Sequence, residues 1–433
     1  MSASLLVLLS ILLLLLCICF FRISIGMLLA ALGFFGYAVL DGTDTAIAML
    51  GNEFWSTFSN SGLTVVPLFV FMGQVCFHSG LSGRLYQAVA SWIGHLRGGV
   101  AAATIAACGG FAAICGSNTA TAATMSVVSL PEMQKRGYNP TFAAGVVATG
   151  TTLGAVIPPS VVGIVLGFQT GLSIRKLFIG GIMPGLLLLS LFLLTTAWVG
   201  KNRPALAPAG DRASTAERIQ TLPGLLEALT LFALVVGGLS IGAFTPTEAG
   251  AAGSVLALAL GFVRRGLSVR KFAKAVFETM NISAMIFLLL AGAGCYGKFL
   301  AVSRTPFMVA EWVQSLQIAP VAVLALIFLI YLIGGMIMDA LALLLITLPI
   351  FFPLVEKLGF EPLWFCLVLL VITTLGAITP PVGASAFVVA SMGKVPLGGV
   401  FRGTLLFIPA FLVCIGVMMV FPSLIMFLPN MVQ

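Results

Sequence analysis

Two stretches of the sequence place consecutive prolines shortly after a glycine, inside long apolar segments. They are residues 150–160 and 373–383, and each contains a Pro-Pro pair. Proline removes a backbone donor and clashes with the preceding turn, and the residue before it avoids the α-region, so each stretch predicts an unwound helix. Unwinding leaves carbonyl oxygens in apolar surroundings, which is costly unless something binds them. We interpret the breaks as sodium sites, and the alternative is a packing kink without a ligand.

Two further stretches, 98–131 and 318–353, are long, apolar and interrupted in the middle by polar residues. The first interruption is Ser117-Asn118-Thr119 and the second is Asp339, the only charge between Glu311 and Glu356. Because each half looks too short to cross a bilayer, we predict two helical hairpins that enter and leave on the same side. Each tip precedes a helix N-terminus, which attracts carboxylates and other anions.

The tips and breaks together give a candidate site. Ser117 and Asn118 offer side-chain oxygens, and an ordinary N-cap role at this turn is compatible with a role in the site. An intramembrane acid is a functional hypothesis by default, so Asp339 either balances a bound cation or holds the tip through an N-cap bond. The predicted sodium-site residues are Ser117, Asn118, Thr152, Gly154, Pro158, Asp339, Thr374, Gly376, Thr379 and Pro380. The predicted substrate contacts are Thr119, Ser160 and Gly383.

The chain also repeats itself. A shift of 222 residues (353 − 131) superimposes the pattern Pro-x8-Pro-x17-Pro-Pro and the pentapeptide TTLGA without a gap. Shared low complexity is the alternative explanation, but the Pro and Gly positions match as well as the apolar ones. The same shift aligns Ser117 with Asp339, so the two tips are equivalent. The matched pairs are Pro131 with Pro353, Lys135 with Lys357, Gly137 with Gly359, Pro140 with Pro362, Pro158 with Pro380, and Pro159 with Pro381.

The high hydrophobic and low charged content of the chain indicates which secondary structure holds these residues. Of 433 residues, 60% are hydrophobic and only 8% are charged, against about 25% charged in a soluble domain. Long unbroken apolar runs exclude a β-barrel and predict an all-α polytopic membrane protein. We place spans at 4–21, 23–40, 54–78, 141–168, 178–200, 223–240, 246–263, 279–297, 363–390 and 400–428, with a polar linker at 201–222. No Walker A, GxSxG or HExxH motif occurs, so an enzyme is not expected.

Basic residues orient the chain. With the N-terminus outside, 16 Lys and Arg fall in cytoplasmic segments and 5 outside, which together are the 21 in the sequence. This split follows the positive-inside rule, and Arg22 is among the cytoplasmic residues. An acidic loop with Asp41, Asp44 and Glu53 lies outside. The hairpins then open to opposite sides, giving an inverted repeat of the kind that holds substrate and ions in secondary transporters. The outer basic residues are Arg175, Lys176, Lys298, Arg304 and Lys357.

The repeat divides the chain into a transport part and a scaffold. We predict N-terminal scaffold helices in 1–97 and a first repeat in 98–177, with its hairpin at 98–131 and a discontinuous helix at 141–168. Further scaffold helices occupy 178–317. The second repeat is 318–398, with its hairpin at 318–353 and a discontinuous helix at 363–390. A C-terminal helix is predicted in 399–433.

Several of these motifs together resemble the large membrane subunit of tripartite ATP-independent periplasmic (TRAP) transporters, the DctM-like family. The resemblance covers nearly the whole chain. It rests chiefly on 116–124 (GSNTATAAT), 130–133 (LPEM), 135–138 (KRGY), 157–160 (IPPS) and 379–383 (TPPVG). The Ser-Asn-Thr tip is also similar to the sodium signature of the divalent anion/sodium symporters. The TRAP family more often has Ser-Ser than Ser-Asn at the first tip.

The resemblance implies a fold and a function. Such subunits are inverted-repeat, elevator-type proteins of the ion transporter superfamily, located in the bacterial inner membrane. They import organic acids, such as C4-dicarboxylates or sialic acids, with Na+ as coupling ion. Their partners are a small four-helix membrane subunit and a periplasmic substrate-binding protein. Because the predicted spans leave no segment for a fused small subunit, we expect that partner to be a separate chain.

Two other functions compete with this interpretation. One is a stand-alone sodium/dicarboxylate symporter of the divalent anion/sodium symporter type, which needs no binding protein. The other is a structural or assembly protein of the inner membrane without a transport cycle. Uptake by the chain alone would favour the first, and stabilisation of the protein by sodium would exclude the second.

Overall fold

A computed structural model describes residues 3–20, 23–315 and 317–431 of the chain. This described part is almost entirely helical, and its only β-type pairing is a bridge between Arg97 and Ala209. Nine helical segments within it are long and apolar enough to cross a membrane. The predicted all-α polytopic class is therefore confirmed. Phe21, which ends the first predicted span, and Arg22 lie outside the described residues.

The helices follow one another with short connections in both halves of the chain. The first half contains α1 Ala3–Phe20, α2 Ile25–Asp41, α3 Thr43–Phe58, α4 Val65–His78, α5 Leu81–Ile93, α6 Gly99–Cys115, α7 Asn118–Lys135, α8 Pro140–Thr151, α9 Leu153–Val156, α10 Val161–Thr170 and α11 Ile174–Asn202. The second half contains α12 Thr215–Phe232, α13 Gly238–Ser240, α14 Pro246–Val263, α15 Val269–Val302, α16 Thr305–Ser315, α17 Pro320–Ile337, α18 Ala340–Lys357, α19 Pro362–Gly376, α20 Ala384–Gly393, α21 Leu397–Thr404, α22 Ile408–Val420 and α23 Pro422–Met431.

Both predicted hairpins and both predicted breaks are present. The first hairpin is α6 and α7, and the second is α17 and α18. The first discontinuous helix is α8, α9 and α10, and the second is α19 and α20. The arms of the second hairpin have 18 residues each and are apolar enough to cross a membrane, so the judgement that its halves are too short was wrong. At about 1.5 Å per residue an arm spans about 27 Å, close to the bilayer core of about 30 Å. Re-entry of the hairpins stays a prediction.

The predicted acidic loop is wrong, because Thr43–Phe58 form helix α3. Ala46 and Met49 face inward and are buried, but the aromatic residues at its end lie at the surface, with Trp55 75% and Phe58 53% exposed. The predicted span at 54–78 is consequently split: α3 ends before Ser59, Asn60 caps a short turn, and the membrane-length segment begins at Ser61. The apolar residues before Ser59 belong to a surface helix that is amphipathic, a distinction that hydropathy alone does not make.

Three other boundaries differ from the prediction. The linker 201–222 is helical from Thr215, because Ser214 and Glu217 form a capping box. The span predicted at 279–297 is the centre of the 34-residue α15. The predicted C-terminal span ends at Val420 because Pro422 begins a separate helix. Helices α5 and α16 were not predicted.

The two repeats interlock. Each hairpin packs on the discontinuous helix of its own repeat, α6 and α7 on α8, and α17 and α18 on α19. The second half of each discontinuous helix then crosses to the other repeat: α10 packs on α18, and α20 packs on α7. These contacts are equivalent under the 222-residue shift, as an internal two-fold relation requires.

Helix α11 and the C-terminal helices also pack on the repeats. Helix α11 contacts α6, α9, α10, α19, α22 and α23. A methyl group added at Gly181 would lie 2.6 Å from the Val156 carbonyl oxygen, so the glycine allows α11 to approach the first break. The indole N–H of Trp364 donates to the Met418 carbonyl at 2.9 Å, which joins α19 to α22.

The remaining helices, α1–α5 and α12–α16, are treated as a second group. Within it α15 packs on α2, α3 and α4, and α14 packs on α4, while α5 packs both on α12 and on α6 of the first hairpin. A buried carboxylate connects three of its members on the side assigned to the cytoplasm. Glu227 on α12 accepts hydrogen bonds from Arg84 on α5 at 2.8 Å and from Arg264 after α14 at 2.7 Å. A buried carboxylate requires such partners, and this one keeps α5, α12 and α14 together.

Candidate ion and substrate site

The first hairpin turns at Gly116 and Ser117. Gly116 ends α6 with φ +64°, a left-handed conformation that glycine adopts readily. The hydroxyl of Ser117 caps α7 by accepting from the N–H of Ala120 at 3.4 Å, and it lies 3.2 Å from the hydroxyl of Thr119. The predicted tip residues therefore form the first turn of α7, where N–H groups are free to face an anion.

The first break lies directly against this tip. The N–H of Val161 donates to the Gly116 carbonyl at 3.1 Å. A methyl group added at Gly154 would lie 3.0 Å from the Ser117 carbonyl carbon and 3.2 Å from the Asn118 nitrogen. The glycine is therefore what allows α9 to reach the tip. The structure brings Ser117, Asn118 and Gly154 together, and their role as ligands stays a prediction.

Residues 157–160 form the first break, and all four are buried. Ile157 and Ser160 are extended, and the peptide bond between Pro158 and Pro159 is cis. The Ser160 hydroxyl caps α10 by accepting from the N–H of Gly163 at 3.2 Å. The N-termini of α7 and α10 thus meet where the Val161 N–H reaches the hairpin tip.

The threonines before each break behave identically. The Thr152 hydroxyl donates to the Thr149 carbonyl at 2.6 Å, and the Thr374 hydroxyl donates to the Val371 carbonyl at 2.8 Å. The two acceptors are also related by the 222-residue shift. Because each hydroxyl proton is used on a carbonyl, the oxygen still has lone pairs that could face a cation.

The second break has its own contacts with the second tip. The N–H groups of Val382 and Gly383 both donate to the Met336 carbonyl at 3.1 Å. The Thr379 hydroxyl donates to the carbonyls of Leu375 and Gly376, both at 3.0 Å. Gly383 has φ +55° and begins the segment that continues as α20. Gly383 therefore contacts the second hairpin through the Met336 carbonyl, and Gly376 lies against Gly335 of α17. The role of Thr374, Gly376, Thr379 and Gly383 as ligands stays a prediction.

The two halves differ in register and exposure. The 222-residue shift makes Met338 the equivalent of Gly116, yet the acceptor in the second half is Met336, two residues earlier. Pro380, Pro381 and Val382 are exposed, whereas the first break is buried. The second break is therefore the more open of the two.

Asp339 lies at the second tip as the N-cap of α18. Its carboxylate accepts a hydrogen bond from the N–H of Leu341 at 3.1 Å, and the residue is exposed. The capping interpretation is thus supported by a direct contact. One hydrogen bond leaves most of the acceptor capacity of a carboxylate unused, so the contact does not compete with a bound cation.

Three buried oxygen atoms near these tips and breaks have no hydrogen-bond partner. They belong to Asn118 at the first tip, Thr149 one turn before Thr152, and Ser385 just after Gly383. Unpaired buried polar atoms are costly and call for an explanation, and a bound cation would supply one for each oxygen. Among the described residues, no three His, Cys, Asp or Glu side chains cluster as metal ligands.

Sequence reasoning predicted Asn118 but missed other contributors. Thr149 and Ser385 each lie within one helical turn of a predicted residue, and that spacing could have indicated them. The Met336 carbonyl could not be foreseen, because any residue has one. Thr404, which donates to the Ile378 carbonyl in the second break at 3.0 Å, comes from α21, an element outside both repeats.

Comparison with known proteins decides the family. The family described as "Tripartite ATP-independent periplasmic transporter, DctM component" matches residues 11–424 of the chain. The chain belongs to this family. It is therefore a multi-pass transport subunit of the inner membrane and not an enzyme, as predicted.

Named relatives of this TRAP permease span almost its full length. A C4-dicarboxylate TRAP transporter large permease protein of Pseudomonas aeruginosa is 33% identical, over 89% of this chain and 90% of the relative. An ectoine/5-hydroxyectoine large permease protein of Ruegeria pomeroyi is 31% identical, over 93% and 94%. A sialic acid large permease protein of Vibrio cholerae is 30% identical, over 89% and 90%.

A solved structure supports the fold of the TRAP permease. The YdaH transporter of Alcanivorax borkumensis superimposes with a TM-score of 0.62 at 18% sequence identity. The match covers 88% of this chain and 89% of that one. At this identity the likeness concerns the fold alone.

Proposed function

We propose that this TRAP permease imports a small organic acid, driven by sodium, from a periplasmic binding protein. The observation that supports the proposal most directly is the cluster of tips, breaks and unpaired buried oxygens. Its relatives include permeases named for C4-dicarboxylate, sialic acid and ectoine. These solutes share at least one carboxylate, and a carboxylate is what helix N-termini favour.

Sodium would be bound at both tips. At the first, the ligands would be oxygens of Ser117, Asn118, Thr152, Gly154 and Pro158, joined by Thr149. Carbonyl and amide oxygens at unwound helices are the donors that sodium sites of secondary transporters use. At the second tip they would come from Asp339, Thr374, Gly376, Thr379 and Pro380, joined by Ser385. Neighbouring backbone would complete each set.

The substrate carboxylate would lie between the sodium ions. The N-termini of α7 and α10 meet at the first tip, and Thr119 and Ser160 are the residues at those ends. At the second tip, Gly383 offers an N-terminus without a side chain. Two sodium charges and these N–H groups together would offset the charge of an organic acid.

The two groups of helices would move relative to each other in an elevator cycle. The moving part would be both repeats together with α11 and α21–α23, which pack on the discontinuous helices α8, α9, α10 and α19. The scaffold would be α1–α5 and α12–α16. This assignment moves α11, predicted as scaffold within 178–317, to the transport part. Coupling requires that sodium bind the substrate-ready state more tightly than the other states.

Two partner proteins would complete the transporter. A small membrane subunit would pack on the scaffold within the bilayer, and a soluble binding protein would deliver substrate from the periplasm. The binding protein would perform most of the substrate selection. Permeases of one family could then serve substrates as different as those in the relatives' names.

Reconstitution tests the proposal. The chain, its membrane partner and the binding protein would be placed in proteoliposomes with an inward sodium gradient, and uptake of radiolabelled succinate, N-acetylneuraminate and ectoine would be measured. We expect uptake of one of the three only when the binding protein is present. Uptake by the chain alone would favour the stand-alone symporter instead. No uptake of any organic acid in a broader panel would contradict the proposal.

A further inference from the structure

A cleft of about 330 Å³ lies beside the contact between α15 and α18 of the second hairpin. On one side it is lined by α3 and α15, with Glu53, Gly294 and Lys298. On the other it is lined by α10 and α18, with Gln169, Pro349 and Phe352. Small-molecule sites are mostly apolar pockets of about 300–1,000 Å³ with a few placed polar groups. This cleft has that size and that composition.

The polar groups of the cleft are a loose ion pair and an amide. The ammonium nitrogen of Lys298 lies 3.6 Å from the Glu53 carboxylate, longer than a hydrogen bond. The Lys298 side chain is 58% exposed, and that of Glu53 is 19% exposed. The lysine is therefore the more accessible partner, and its long stem lets the ammonium turn from Glu53 towards a ligand.

Two glycines on α15 shape the cleft: Gly294 makes room for the Glu53 side chain, and Gly297 leaves free space. A methyl group added at Gly294 would lie 2.5 Å from a Glu53 carboxylate oxygen, so the acid occupies space that any other residue would fill. A methyl group added at Gly297 would approach only Pro349, at 3.8 Å. The wall that faces the repeats is consequently flat, and it leaves room beside Lys298.

The position of the cleft is at the outer end of the proposed moving part. Lys298 is one of the basic residues that the charge distribution assigns to the outside. Gln169 lies nine residues beyond Ser160 along α10, or about 13 Å at 1.5 Å per residue. A solute that enters from the periplasm would therefore meet this cleft before it reaches the hairpin tips.

We propose that this cleft is an outer binding site at which Lys298 captures the carboxylate of a small organic acid, in competition with Glu53. The inference rests on the proposed function, because it supplies the step between release from the binding protein and binding at the tips. Glu53 would weaken capture, so that the acid is held only transiently and can move inward. This site can be distinguished from a structural ion pair, because removal of the Lys298 charge would weaken binding of the acid whereas removal of the Glu53 charge would strengthen it.

Cysteine protection tests the cleft without any transport. Gln169→Cys places a thiol in the cleft, and its reaction with an uncharged maleimide would be followed in the purified protein with succinate or N-acetylneuraminate present. The native sequence supplies the background rate. We expect either acid to slow labelling at least threefold, Lys298→Ala to remove the protection, and Glu53→Gln to lower the acid concentration needed. Lys176→Ala, another exposed outer lysine, should leave protection unchanged.

Uptake provides the second readout. In the reconstituted system, Lys298→Ala should raise the half-saturation concentration of the transported acid about tenfold, Lys298→Arg should restore it partly, and Glu53→Gln should lower it. The inference is overturned if neither acid slows the labelling of Gln169→Cys. It is also overturned if the acid slows labelling equally well after Lys298→Ala, or less well after Glu53→Gln. Normal sodium-driven uptake with any of these results would reject the cleft and leave the proposed function standing. Protection of Gln169→Cys without any sodium-driven uptake would support the cleft and reject the proposed function.

Discussion

Asn118 carries the strongest single indication of an ion at the first tip. Its amide oxygen is buried without a partner, and its backbone lies against Gly154, whose missing side chain allows the approach. An apolar pocket would not retain such an oxygen at no cost. A serine at this position would also present an oxygen. The physical requirement at this position is therefore an oxygen donor.

Replacing Asn118 should weaken sodium binding selectively. In Asn118→Ala we expect the sodium concentration for half-maximal uptake to rise about tenfold, which corresponds to about 1.4 kcal/mol. Asn118→Ser should stay within about threefold of the native value. The measurement is uptake as a function of sodium at saturating substrate. Equal sodium dependence in both variants would mean that the side-chain oxygen is not a ligand.

Asp339 poses a question that one pair of variants can answer. Asparagine caps a helix about as well as aspartate, so Asp339→Asn keeps the cap on α18 and removes only the charge. We expect Asp339→Asn and Asp339→Ala both to lose sodium-dependent uptake in proteoliposomes, while the purified proteins stay folded. If Asp339→Asn transports normally and only Asp339→Ala fails, the residue is a cap and nothing more.

At the scale of elements, the proline, glycine and polar residues that interrupt the apolar segments made the hairpin tips and the helix breaks predictable. The Pro-Pro pairs and the polar tips act within one or two turns, so the breaks at 157–160 and 377–383 follow from local rules. The elements that were not predicted depend on contacts between residues that lie far apart in the sequence. Helix α3 is apolar enough to be mistaken for the start of a span, and only its position at the surface separates Trp55 from a core residue. Contacts such as that between Thr404 and Ile378 depend on how α21 packs, which no spacing reveals.

Thr404 should matter through the second break. Its buried hydroxyl donates to the Ile378 carbonyl, which the break leaves outside regular helix. Thr404→Val has a similar shape but leaves that buried carbonyl with one partner fewer, at a cost of about 1–3 kcal/mol. We expect a lower thermal midpoint and a higher sodium concentration for half-maximal uptake, with both restored in Thr404→Ser.

The matched control for this variant is Thr230→Val on α12, where the hydroxyl bonds only within its own helix, to Leu226. This change should alter neither quantity. If Thr404→Val changes the thermal midpoint without any effect on sodium dependence, α21 supports the fold but does not position the break.

At the scale of the molecule, the proposed division into a moving part and a scaffold differs from the one that the sequence predicted. The 222-residue repeat identified both hairpins and both discontinuous helices, because repetition is visible in the order of residues. The repeat did not show which group of helices α11 belongs to. A long apolar helix between two repeats could belong to either group, and its packing on the first break, through Gly181 against Val156 and Gly185 against Ile157, becomes visible only in the structure.

The exposure of the two breaks adds a conformational prediction. The first break is buried, whereas Pro380–Val382 are exposed. We expect a cysteine at Val382 to react with a water-soluble thiol reagent in the absence of sodium, and more slowly when sodium and substrate are bound. A cysteine at Ile157 should stay unreactive in the sodium-free state. The opposite pattern would contradict the arrangement of the two breaks described above.

Sodium dependence of uptake tests the central claim most directly. The reconstituted complex, supplied with loaded binding protein, would be assayed with an inward sodium gradient, with potassium in place of sodium, and with an inward proton gradient without sodium. We expect uptake above background only with sodium, and loss of that uptake in Asp339→Asn. Equal uptake in potassium, or uptake driven by protons alone, would contradict it.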